Sequence, residues 1–146
     1  MFDNKIPPKH FYIDYFLFYY MKRTLIKDNR YEGRTLIVDD MEEVYRKLQN
    51  KFKDSTYVGT VEKGLEEIAL GNWDLVISDY DFGKDAPQGG EKIIRAAKAK
   101  RLDCILMSRD YHEKEAEKLG VRFIFKKKLL ASKNINELIV DQDGRK

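Results

Sequence analysis

The chain carries a single cysteine, Cys104, so no internal disulfide can close. That cysteine sits in the apolar run Cys104-Ile105-Leu106-Met107, where it reads as a small buried hydrophobe rather than a nucleophile. Histidine is also scarce. His10 and His112 are the only two and lie in unrelated segments, which leaves a histidine metal site or a Ser-His-Asp triad without support. No GxxxxGK phosphate loop occurs, and Gly89-Gly90 reads as a turn into a helix. Net charge is only +3, so charge gives no argument for nucleic acid. No run is long enough to span a bilayer. Ten of the eleven residues from Phe11 to Met21 are apolar or aromatic, but Asp14 interrupts them and no small-residue cleavage site follows. A cytoplasmic protein without a signal peptide is the expectation.

What the chain does have is acid at the ends of apolar triplets. Asp39-Asp40 closes Leu36-Ile37-Val38, and Asp79 closes Leu75-Val76-Ile77-Ser78. Short continuous apolar runs read as buried parallel strands, and open α/β sheets place their sites at the carboxyl ends of such strands. Clustered carboxylates raise one another's proton affinity unless a cation sits among them. Mg²⁺ suits hard oxygen donors and pairs a few carboxylates with water and phosphate, so the pattern points to phosphoryl chemistry on an acid.

At 146 residues, with 42% apolar and 36% charged residues, the chain reads as globular and long enough for a proper core. From Arg34 onward strands and helices alternate five times, which predicts a parallel sheet with helices on both faces. The helices are expected over Met41–Phe52, Val61–Leu70, Glu91–Lys100, His112–Leu119 and Ile135–Val140. The strands not yet named are expected over Thr56–Thr60, Asp103–Met107 and Arg122–Lys126. An unusually long loop follows the Asp79 strand, Gly83 to Gly90.

Four segments in register carry a family resemblance. RTLIVDDMEEVYRKLQNKF (Arg34 to Phe52) resembles the first strand, acidic pair and first helix of a two-component response-regulator receiver domain of the single-domain chemotaxis type. DLVISDYDF (Asp74 to Phe82) resembles its third strand with the phosphoacceptor, here Asp79. CILMS (Cys104 to Ser108) is similar to the fourth strand with its terminal hydroxyl, and FIFK (Phe123 to Lys126) to the fifth, with switch aromatic and lysine. The match spans residues 34 to 140.

The resemblance implies a flavodoxin-like, doubly wound (βα)5 three-layer sandwich with strand order 2-1-3-4-5. It divides the chain into an aromatic-rich extension, residues 1–33, and a receiver domain, residues 34–146. It implies that Asp79 accepts a phosphoryl group from a histidine kinase or phosphotransfer protein, with Ser108 and Lys126 assisting. Asp39, Asp40, Asp79 and the Asp81 carbonyl would hold Mg²⁺. The domain would catalyse its own phosphotransfer and then switch its binding of a downstream protein. Lys127 competes with Lys126 for the lysine role, but only Lys126 has an aromatic, Phe123, three residues before it.

Two departures stand out. Arg109 follows the hydroxyl where a small residue is usual, and could obstruct the pocket or add a cation to it. No proline follows the lysine. These leave room for a second class, a pseudo-receiver that binds partners without phosphate. A third class, a phosphatase built on the DxD of Asp79-Tyr80-Asp81, is disfavoured because the acid pair lies upstream. Pro7-Pro8 can open a helix over Phe11–Met21, which would cover the receiver core or join two copies of the chain.

Overall fold

The computed structural model describes residues 26–27, 29–84 and 86–139. The helix expected over Phe11–Met21 lies outside the described residues.

A short antiparallel hairpin comes first, β1 (Ile26–Lys27) and β2 (Arg30–Tyr31). Strands β3 (Thr35–Val38), β4 (Ser55–Val58), β5 (Leu75–Asp79), β6 (Asp103–Ser108) and β7 (Arg122–Phe125) then form one parallel sheet in the order β4-β3-β5-β6-β7. This is the doubly wound 2-1-3-4-5 arrangement. Helices α1 (Glu42–Leu48), α2 (Val61–Leu70), α3 (Gly89–Ala99), α4 (Glu113–Leu119), α5 (Lys126–Ala131) and α6 (Ile135–Ile139) connect and cover it. Among the described residues, no helix is long and apolar enough to cross a membrane.

The apolar triplets are buried because a central parallel strand meets helices on both sides. Every residue of β3 and β5 is buried. Successive side chains alternate between faces. Ile37, Ile77 and Ile105 meet Val44, Leu48, Leu129 and Leu138 on one side. Leu36, Val38, Val76 and Leu106 meet Ile68, Ile93, Ile94 and Ala116 on the other.

Some local expectations are adjusted. The first helix stops at Leu48, and the chain turns so that Phe52 bridges to Tyr31 instead of extending the helical stripe. Met41 precedes that helix in extended conformation and is exposed. Lys126 opens a helix rather than closing a strand. Gly89 and Gly90 lie inside the first turn of α3. Space explains the second glycine, since a Cβ at Gly90 would stand 2.1 Å from the carbonyl oxygen of Asp79.

Candidate functional site

The carboxyl ends of β3, β5 and β6 and the start of α5 converge on one cleft of about 170 Å³. Its walls include Asp40, Asp79, Asp81, Ser108, Arg109 and Lys126. Register explains the convergence. Val38 pairs with Ser78, so Asp39 and Asp79 end adjacent strands at the same level. Asp79 pairs with Met107, one residue before Ser108.

Carboxylate oxygens of Asp39, Asp40 and Asp79 all lie within 4.8 Å of one another. Asp39 and Asp79 are buried, and Asp40 is exposed. The Met41 amide donates to Asp39 Oδ1 at 2.8 Å, and the Tyr80 amide to Asp79 Oδ1 at 2.9 Å. The outer oxygens face one cation. Lys126 Nζ stands 2.9 Å from Asp39 Oδ2 and 3.2 Å from Asp79 Oδ2. Lys126 is buried with them, whereas Lys127 is exposed.

Burial pushes the Asp79 carboxyl up to about 6, with the neighbouring Asp39 adding to the rise and Lys126 opposing it. Burial also raises Asp39, against the hydrogen bonds and charge of Lys126 and the Met41 amide. One ammonium therefore does not neutralise the cluster, and a divalent cation fits the remaining charge. Asp39 Oδ2 is buried, and its contact is the Lys126 ammonium at 2.9 Å. Hard oxygen donors crowded to this degree are a Mg²⁺-type ligand set. Asp81 borders the cleft, and its side chain accepts from the Gly83 amide at 3.0 Å.

Ser108 Oγ accepts from the Asp110 amide at 3.2 Å, a bond that does not use its own proton. Arg109 is exposed and forms part of the wall without closing the cleft. Phe123 is half-buried, 5.1 Å from Phe125 and 6.2 Å from Tyr111 between ring centroids. Tyr80, next to Asp79, stacks on His112 at 4.1 Å. Nothing in the sequence announces this stack, the packing of Tyr111 and Phe125 around Phe123, or the support given by the Met41 amide. Only the Gly89-Gly90 pair carried a signal for the close approach behind Asp79.

The arrangement defines an acidic, cation-seeking site at the switch edge of a doubly wound α/β fold. No protein-family model and no curated protein matches the chain in sequence. Solved structures do match. The receiver domain of a Francisella response regulator is 19% identical, with 75% of this chain and 92% of that one covered and a TM-score of 0.58. A CheY-like receiver domain protein from Methanospirillum hungatei is 18% identical, with 77% and 96% covered and a TM-score of 0.58. The Thermotoga maritima response regulator TrrA, in complex with Mg²⁺ and BeF, is 21% identical, with 72% and 91% covered and a TM-score of 0.57. This chain has the CheY-like receiver fold.

Proposed function

We propose that this protein is a phosphorelay receiver that accepts a phosphoryl group on Asp79. The observation that carries the reading is the convergence of Asp40, Asp79, Ser108 and Lys126 on one cleft, with Asp39 buried against Asp79 and Lys126. Asp39, Asp40, Asp79 and the carbonyl of Asp81 would hold Mg²⁺, which when bound supplies neutralisation of charge on the phosphoryl oxygens. Binding of Mg²⁺ with BeF by TrrA, a protein of the same fold, supports that assignment.

An Asp79 oxygen attacks phosphorus in line while the bond from phosphorus to the donor nitrogen or oxygen breaks. The Ser108 hydroxyl donates to one phosphoryl oxygen. Lys126, already 3.2 Å from Asp79, pairs with another. The donor is a histidine kinase or phosphotransfer protein. The modified domain then changes its hold on a downstream protein through the segment Arg109 to His112, which links Ser108 to α4. Residues 1–33 act as an extension to a receiver domain of residues 34–146, available for pairing two copies.

Incubation with acetyl phosphate and Mg²⁺, read by intact mass, tests the reading. One added phosphoryl group on the wild-type chain, absent with Asp79→Asn and absent with chelator, is the expected result. A wild-type chain that stays unmodified with every donor would make it a pseudo-receiver.

A further inference from the structure

Beside the acidic cleft lies a second pocket of about 240 Å³. Its surfaces are chemically unlike the first. Met41, Val44 and Leu130 supply apolar lining, and Lys47, Arg109 and Lys127 are exposed cations around it. Glu43 is its one acid. The two pockets share Met41, Arg109 and Lys126 as walls, so they adjoin. Met41 and Arg109 are exposed and stand at the mouth, whereas Asp79 and Lys126 lie buried at the floor.

That geometry bears on which small phosphodonors fit. In-line attack by Asp79 sends the leaving group away from the floor, toward the mouth. Arg109, a wall of both pockets, is a cation available to the charge that develops on the leaving oxygen, and the neighbouring pocket carries the apolar lining. A sealed cavity of about 150 Å³ already holds a benzene ring, so a phenyl or short acyl group is within reach of this volume.

We propose that the pocket is a leaving-group subsite that selects acyl phosphates with an apolar acyl body over acetyl phosphate. This rests on Asp79 being the phosphoacceptor. The bond from phosphorus to the acyl oxygen breaks as the bond from Asp79 to phosphorus forms. One acyl phosphate is exchanged for another, the donor leaves as a carboxylate, and no proton, oxidant or further reactant is required. Three cations against one acid hold the departing carboxylate.

The test compares benzoyl phosphate with acetyl phosphate, both with Mg²⁺, on the full chain and on Leu130→Gln and Lys47→Glu. Both substitutions lie outside the phosphoryl cleft, and Lys47 is exposed. The expected result is a benzoyl-to-acetyl rate ratio about tenfold higher in wild type than in Leu130→Gln, with the acetyl rate unchanged there, whereas Lys47→Glu, which removes a cation facing either departing carboxylate, slows both donors together. An equal ratio in wild type and Leu130→Gln overturns the subsite. Should neither donor label wild type, the phosphoacceptor reading fails separately. The pocket is then judged by phenyl phosphate, which is not an acyl donor. Methyl resonances of Val44 and Leu130 that shift on its addition uphold the pocket, and unmoved ones overturn it.

Discussion

Lys126 Nζ lies 2.9 Å from Asp39 Oδ2, a buried ion pair joining the first turn of α5 to the end of β3. Removing one partner of such a pair leaves the other as an uncompensated buried charge, which typically costs about 3–5 kcal/mol. Lys126→Gln should therefore lose about 3 kcal/mol in urea denaturation at pH 7.5 without divalent ions. Part of the loss should return toward pH 5, because Asp39 and Asp79 escape the penalty by taking up protons. A variant as stable as wild type at pH 7.5 would show that the lysine neutralises nothing.

Asp79→Asn should raise stability in metal-free buffer. The Asp79 carboxyl is pushed up to about 6, so the folded chain holds a proton there that the unfolded chain releases near its ordinary value of about 3.9. Stability from this group is fully present below pH 4 and is lost as pH rises through 6. The amide mimics the protonated form and keeps it at all pH values. The gain at pH 7.5 is bounded at about 3 kcal/mol by a shift of about two units, and should vanish near pH 4. A melting temperature below wild type at neutral pH contradicts this sign.

Protons and Mg²⁺ compete for the same oxygens. Thermal stabilisation by Mg²⁺ should be strong at pH 7.5 and fade below pH 6 as Asp79 protonates. Asp40→Asn should weaken the apparent Mg²⁺ affinity about tenfold without unfolding the chain, since Asp40 is exposed. Titration of melting temperature against Mg²⁺ at two pH values reads both effects. Equal affinity at pH 5 and pH 7.5 would place the ion elsewhere.

The sheet was legible because each strand is an apolar run ended by punctuation, and burial on both faces demands that composition. Asp39, Asp40 and Asp79 stood out because acids at strand ends violate it. Lys126 was harder: three lysines stand in a row, the sequence favours the first through Phe123 three residues before it, and the turn from β7 into α5 puts that lysine inside the site. The helix Lys126–Ala131 was hidden for a related reason, since Phe123, Ile124 and Phe125 favour a strand up to its first residue. The Tyr80–His112 stack joins residues far apart in the chain, and no local pattern announces such a contact.

Gly90 should tolerate no side chain. Its amide donates to the Tyr80 carbonyl at 2.9 Å, and a Cβ would meet the Asp79 carbonyl and the Tyr80 Cα at 2.1 and 2.6 Å. Both neighbours are backbone and cannot rotate away. Gly90→Ala should cost about 3 kcal/mol and slow labelling of Asp79 by displacing its main chain. Labelling at the wild-type rate would mean that α3 simply shifts outward.

Tyr31, in the stretch before residue 34, packs into the receiver core. Tyr31 is 1% exposed and packs in the cluster with Ile37, Leu48 and Phe52, its ring centroid 6.0 Å from that of Phe52. Its amide donates to the Lys51 carbonyl at 2.8 Å, and its own carbonyl accepts from the Lys53 amide at 2.9 Å. This stitching closes the end of the sheet opposite the acids. Tyr31→Ala removes a large buried ring and should cost about 3–5 kcal/mol. Tyr31→Phe keeps the ring and should stay within about 1 kcal/mol of wild type. Neither change touches the acidic cleft, so the rate of phosphoryl labelling should hold at temperatures where both variants remain folded. A chain beginning at residue 34 should be less stable than one beginning at residue 26 by about the cost of Tyr31→Ala. If those two fragments melt together, Tyr31 is a passenger on the core rather than part of it.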